Sequence, residues 1–196
     1  MPKRVRLFFS FRSPYSYLGG PRIFSLPEKY DIELAWHGVP PMVNRGVPLS
    51  PSKAMYILMD AQRVAKRLGM PFQFPDPDPL EHAQGLLRGA EYASDKGRVG
   101  PWVLRLTRAI WGDQRNYTDE AVMREITEGA GLDLEGVLAA IKGNAAYDKR
   151  VEANVALLEE VGHWGVPTLE ADGKLFWGQD RIDYLEEYLS EEGCKR

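Results

Sequence analysis

The sequence predicts an α/β fold in which strands from the two ends of the chain share one sheet and an all-α insertion separates them. Three observations predict it. Apolar residues recur with strand period near both termini, they recur every 3.6 residues for about a hundred positions in between, and the resulting order is β-α-β, a helical block, then β-β-α. Neither terminal segment could cover its own sheet edges alone, so the two are expected to join. The expected organisation is therefore a single chain unit, with one domain made of residues 1–48 plus 163–196 and a helical insertion of residues 49–162. At 196 residues the chain is long enough to bury a sizeable core without covalent staples.

The elements follow in order. Val5 to Phe11 is a nearly continuous apolar run, as in a strand covered on both faces. Ser13 follows at once, and from Ser16 to about Leu26 the positions of Tyr17, Leu18 and Phe24 suit a helix that Pro21 would kink and Pro27 would end. Ile32, Leu34 and Trp36 then alternate, predicting a second strand to His37. A proline- and glycine-rich loop runs from Gly38 to Ser52. Ala54, Ile57, Leu58, Ala61, Val64, Ala65 and Leu68 form one stripe, and Gly69 with Pro71 closes that helix. Further stripes centre on Leu86 and Leu87, on Leu106, on Ile126, on Leu138, and on Val151 and Val155, with Thr118 and Asp133 as expected N-caps. At Gly165 the period returns to two. Val166 to Ala171 and Lys174 to Trp177 flank Asp172-Gly173, a strong hairpin signal because both turn residues tolerate positive φ. A last helix is expected to start at Asp180 as N-cap and to bury Ile182, Leu185 and Leu189.

Composition removes several function classes. Cys194 is the only cysteine, which leaves no partner for an internal disulfide or a dithiol redox pair. The three histidines, His37, His82 and His163, are far apart and show no ligand spacing, so no metal is expected. A net charge of -3 with a pI near 5.7 argues against a nucleic-acid surface. No stretch approaches the roughly 18 uninterrupted apolar residues of a membrane span, and the basic start MPKRVRLFFSF lacks a long apolar run or a small-residue cleavage site. A cytoplasmic chain with no nucleic-acid or membrane partner is expected.

Three local signals carry chemistry. Ser13-Pro14-Tyr15-Ser16 lies at a strand-to-helix turn and reads as a C-x-x-C motif with each sulfur replaced by oxygen. Free N–H groups and the helix dipole at such a turn favour an anion, a thiolate included, although both serines could equally serve as helix-start residues. In Gly165-Val166-Pro167-Thr168 a proline opens a strand. A cis bond there would leave the N–H and C=O of Val166 free to pair with an extended peptide ligand, whereas many strand-edge prolines serve geometry alone. In Gly178-Gln179-Asp180-Arg181 the acid can cap the last helix, or the carboxylate, the amide and the helix N–H groups can together grip an α-amino-acid head.

These segments resemble one family. Ser13-Pro14-Tyr15-Ser16-Tyr17-Leu18-Gly19 is similar to S-P-[YF]-[SA]-[YW]-L, and Gly165-Val166-Pro167-Thr168 to the end of G-V-F-G-V-P-T. Asp172 to Asp183 follows D-G-x-x-F-W-G-Q-D-R-L-D almost throughout. All three belong to the glutathione-dependent 2-hydroxychromene-2-carboxylate isomerases, relatives of the kappa-class glutathione transferases that share with DsbA a thioredoxin-like fold interrupted by a helical domain. Trp177 and Gln179 favour the isomerase branch, because the transferases usually read F-G-S-D-R there. Asn44 and Lys53 also stand at the family's spacing.

The resemblance implies glutathione as a thiol cofactor and an isomerase as the activity, and a transferase that keeps the same thiol site is the alternative. It implies that Ser13 hydrogen-bonds and activates the glutathione sulfur, and that Val166, with Pro167 in cis, pairs with the cysteinyl unit. Gln179 and Asp180 would hold the γ-glutamyl end, while Asn44 and Lys53 would reach the thiol side or the glycyl carboxylate. An aromatic substrate would meet Arg12, Tyr15 and Trp164, and a homodimer is implied as well. The chain departs from the family pattern at Ser10, often Asp there, at the charge of Arg12, and at His163-Trp164, which replaces a more apolar pair. A thioredoxin-fold module that binds peptides without chemistry is the reading of a different class.

Overall fold

The computed structural model describes residues 1–196. Its sheet has four strands, β1 (Lys3–Phe9), β2 (Ile32–Gly38), β3 (Thr168–Ala171) and β4 (Lys174–Trp177), in the order β2-β1-β3-β4. β1 pairs parallel to β2 and antiparallel to β3, and β3 pairs antiparallel to β4, so segments from both ends of the chain do share one sheet. This is the α/β thioredoxin-like architecture of the DsbA type, with a helical insertion between β2 and β3.

β1 is central, and its apolar run is explained by cover on both faces. Leu7 and Phe9 enter the main core with Trp36 and Trp102, while Phe8 points the other way, to Val39 and Leu158. Helix α1 (Pro14–Phe24) follows β1, and the four-residue α2 (Leu26–Lys29) leads to β2. The insertion comprises α3 (Pro51–Leu68), α4 (Ala83–Asp95), α5 (Val99–Thr107), α6 (Glu120–Gly129), α7 (Leu134–Lys142) and α8 (Ala145–Glu160). Helix α9 (Ile182–Glu191) closes the chain against the hairpin side of the sheet.

Several expected boundaries move, each for a local reason. β1 stops at Phe9, because Ser10 begins the turn in which its carbonyl accepts the N–H of Ser13. Pro27 does not end α1; Ser25 is its C-cap, and Pro27 instead sits in the first turn of α2, where the missing N–H costs nothing. β3 begins at Thr168, after a Val166-Pro167 bond that is cis. Asp119, not Thr118, caps α6, its side chain accepting the N–H of Ala121 at 2.8 Å, whereas Asp133 caps α7 as expected. Asp180 caps nothing: Gln179–Arg181 form a 3-10 turn and α9 starts at Ile182. The stripe on α3 is only half covered, with Ala61 and Ala65 buried and Leu68 exposed. In the hairpin, Asp172 and Gly173 both take positive φ, 50° and 79°. No helix is long and apolar enough to cross a membrane.

Candidate active site

A cavity of about 910 Å³ opens between the ends of β1 and β3, the start of α1 and the inner face of α3. Its wall includes Arg12, Ser13, Tyr15, Lys53, Trp164, Val166, Gln179 and Asp180, which lie far apart in sequence. Asn44 and Pro167 are not on this wall. Asn44 sits exposed on a short 3-10 turn next to Val43, which does line the cavity, and Pro167 is buried behind Val166.

Ser13 is the N-cap of α1, in extended conformation with Pro14 after it. Its Oγ accepts the N–H of Ser16 at 3.2 Å and donates its proton to the carbonyl oxygen of Val166, also at 3.2 Å. The expectation that both backbone groups of Val166 are free is therefore corrected: the N–H has no partner, but the C=O is occupied by Ser13. Ser16 lies in the first turn of α1, a helix-start residue as expected; it is buried, its hydroxyl has no partner, and its part in the cap is its N–H.

The other expected substrate residues are all engaged. Arg12 makes two parallel bonds to Asp78, at 2.8 and 2.9 Å, tying the turn before α1 to the proline-rich segment after α3. Burial alone would raise the Asp78 pKa, but the Arg12 guanidinium and the Leu80 N–H outweigh it and hold the carboxyl below its ordinary range. Tyr15 donates to Asp60 at 2.6 Å, and burial together with that carboxylate pushes its hydroxyl above the usual phenol range. Lys53 lies 5.1 Å over the Trp164 ring, a cation–π contact from α3 to the loop before β3.

An aromatic corner completes the mouth. Trp164 stacks on His163, with ring centres 5.4 Å apart, and meets Trp177 edge-on at 5.0 Å. Gly165 makes this possible, because a Cβ there would collide with the Trp177 indole nitrogen. Arg45 fixes the loop by donating to the Trp164 carbonyl at 2.8 Å. Burial lowers the pKa of His163, and its neutral ring accepts the Gly165 N–H on Nδ1 at 2.9 Å. Trp164 and Trp177 remain 42% and 47% exposed, an unusual amount for two neighbouring indoles unless something covers them.

The 3-10 turn that carries Gln179 and Asp180 is set by close approach. A Cβ on Gly19 would come within 3.1 Å of the Gln179 Cβ, so glycine lets α1 lie against this turn without the turn having to shift. Asp180 pairs with the adjacent Arg181 at 2.8 Å.

Sequence reasoning did not single out Asp60, Arg67, Asp78 or Trp111 as wall residues. A signal existed for two of them: Lys53, Asp60 and Arg67 recur every seven residues, which places three charged side chains along one line of α3 beside its apolar stripe. Trp111 sits where α5 widens into a π turn over Arg108–Gly112 and donates to the Phe11 carbonyl at 2.8 Å, a geometry with no sequence signature. Asp78 reaches the site through a loop. No group of three or more His, Cys, Asp or Glu side chains converges as a metal site requires. Cys194, buried at the C-terminal end, does not line the cavity.

Known proteins resemble this arrangement along nearly the whole chain. The DSBA-like thioredoxin domain family matches residues 4–190. A 2-hydroxychromene-2-carboxylate isomerase of Sphingobium xenophagum is 25% identical over 197 residues, spanning 96% of this chain and 99% of its own length. The human glutathione S-transferase kappa 1 is 24% identical over 212 residues, covering 97% and 92%. A solved structure of a selenomethionine 2-hydroxychromene-2-carboxylate isomerase superposes with a TM-score of 0.80 at 23% identity, over 96% of this chain and 95% of the other.

Proposed function

The chain belongs to the DSBA-like thioredoxin domain family, and from that premise we propose that it is a glutathione-dependent isomerase of the 2-hydroxychromene-2-carboxylate isomerase type. The observation that carries this reading is Ser13, a hydroxyl at a helix N-terminus where the redox members of such a fold need a thiol, placed on the wall of a cavity with room for two small molecules. With Cys194 remote from that wall, the reacting sulfur must arrive on a ligand.

In this mechanism glutathione binds extended along Val166, with its γ-glutamyl head at Gln179 and Asp180 and its thiol beside Ser13. The hydroxyl and the N-terminus of α1 favour the thiolate, whose unperturbed pKa is about 8.5. The thiolate adds to a conjugated carbon of an aromatic carboxylate. The former double bond then rotates as a single bond, and elimination of the thiolate restores the double bond in the other geometry. Glutathione is regenerated, so no net oxidant or reductant is required. The exposed indoles of Trp164 and Trp177 offer the aryl group a stacking wall, Tyr15 shares the cavity, and Lys53 attracts the carboxylate. Arg12 reaches a substrate carboxylate only by leaving Asp78.

The protein would work in the cytoplasm, where thiols are kept reduced, and as a homodimer. Residues 1–48 with 163–196 would act as the thiol-binding domain and residues 49–162 as the cover that holds the second substrate. The test is a steady-state assay with a 2-hydroxychromene-2-carboxylate, with and without glutathione, together with a glutathione balance. Isomerisation that needs glutathione and consumes none supports the proposal. A stable thioether product with an aryl halide, and no isomerisation, would shift it to the transferase activity that the kappa relative's name states. No glutathione binding at millimolar concentration would leave a peptide-binding module.

A further inference from the structure

The one proton of the Ser13 hydroxyl is already committed: it points to the Val166 carbonyl at 3.2 Å, while the oxygen accepts the N–H of Ser16 at the same distance. A hydroxyl has a single donor and two acceptor lone pairs. In this state Ser13 can offer an arriving sulfur only its remaining lone pair. That lone pair accepts from S–H and so favours the neutral thiol, the reverse of activation. Beside it, the Val166 N–H has no partner.

We propose that Ser13 is switched on by the ligand's own backbone: an amide N–H next to the thiol takes over the Val166 carbonyl, and the released Ser13 proton turns to the sulfur. Resting on the reading of this cavity as a glutathione site, the inference explains how the site would choose its thiol. A cysteinyl peptide carries its N–H on the nitrogen bonded directly to the carbon that bears CH₂SH, and lying antiparallel to Val166 it satisfies both the vacant N–H and the occupied C=O. The carbonyl exchanges one donor for another, so the exchange costs little. The thiol proton leaves to solvent, and the thiolate gains the Ser13 O–H as donor. A simple alkyl thiol has no N–H to offer; it would leave Ser13 on Val166 and bind as the neutral thiol. The site therefore activates peptide thiols selectively, even though no side chain recognises the peptide bond.

The experiment compares glutathione with its analogue methylated on the cysteinyl nitrogen. Ionisation of the bound thiol is followed by thiolate absorbance at 240 nm against pH, at saturation established by calorimetry. The charged groups of the wall, Arg12, Lys53, Asp60, Arg67, Asp78, Asp180 and Arg181, face both ligands alike, so the comparison turns on the N–H. Bound glutathione should ionise at least about tenfold more readily than the bound analogue at neutral pH. Equal ionisation of the two would overturn the inference while leaving the glutathione site intact. Failure of glutathione itself to bind would overturn the reading beneath it. A second measurement serves if the analogue binds too weakly: the carbonyl carbon resonance of ¹³C-labelled Val166 in wild type and in Ser13→Ala. The substitution should shift this resonance in the free protein and leave it unchanged in the glutathione complex. A shift of the same size in both states would contradict the switch.

Discussion

Ser13 serves structure and chemistry with one oxygen. As N-cap it stabilises α1, and replacing such a cap by alanine costs about 1 kcal/mol. As thiol donor it would be worth more: Ser13→Ala is expected to lower turnover about 100-fold, as loss of a hydrogen bond to a catalytic anion does, and to move the acid limb of the kcat/KM profile to higher pH. An unchanged profile with normal folding would remove Ser13 from the chemistry. Beside it, Arg12 and Asp78 form a two-pronged pair that is partly open to solvent, with Asp78 about half exposed. Its contribution to stability is correspondingly small, about 0.5 kcal/mol. The sign is fixed by the lowered Asp78 pKa: stability from the pair is present above the carboxyl's unfolded value and is lost as pH falls through the folded one. Asp78→Asn should therefore lower the melting temperature slightly at pH 7, and the difference should shrink as pH falls through the folded carboxyl's lowered value, as scanning calorimetry would show. It should also lower KM for a carboxylate substrate if Arg12, once freed, turns to it.

At the level of elements, the site is made by close approaches that glycine eases. Gly19 on α1 faces the turn of Gln179 and Asp180, and Gly165 underlies the Trp177 indole. A Gly19→Ala variant must push that turn away by a few tenths of an ångström. The expected result is KM for glutathione raised several-fold with kcat little changed, and equal loss of both would instead mean a disturbed helix start. These glycines were legible in the sequence as motif letters, but their purpose was not, because each answers to an atom more than ten residues away. The strands, the hairpin at Asp172-Gly173 and the order of the helices were readable because they rest on local periodicity and turn chemistry. The start of the last helix was not: Asp180 has the composition of a cap, yet its side chain bonds to Arg181 and leaves the capping position unused. The wall of α3 was half visible, since its apolar stripe drew attention away from the charged line of Lys53, Asp60 and Arg67.

Across the whole molecule, a buried polar chain joins the sheet to the insertion. Asn154 on α8 donates to the Gly38 carbonyl at 3.1 Å and to Glu91 on α4 at 3.2 Å, and its oxygen takes the Nδ1–H of His37 at 2.9 Å. His37 is thereby the Nδ1–H tautomer, and its Nε2 is buried with no partner. Burial lowers the His37 pKa below 6.5 and raises that of Glu91 above 4.5. For His37 the unfolded chain takes up a proton first as pH falls below about 6.5, so stability declines from there down to the folded value. For Glu91 the sign is opposite, its contribution being lost as pH rises from the unfolded value to the folded one. His37→Gln, which keeps a donor toward Asn154, should flatten the fall in melting temperature between pH 7.5 and 5.5. An unaltered fall would place the acid sensitivity elsewhere. None of this network was visible in the sequence, where His37 is the last residue of an ordinary strand and Asn154 lies more than a hundred positions on.

The most direct test of the account is the position of the glutathione sulfur in a crystal structure of the complex. The account predicts sulfur within about 3.2 to 3.5 Å of Ser13 Oγ, with the cysteinyl N–H on the Val166 carbonyl and the γ-glutamyl head at Gln179 and Asp180. Glutathione bound with its sulfur out of reach of Ser13, and the Ser13 hydroxyl still on Val166, would contradict it.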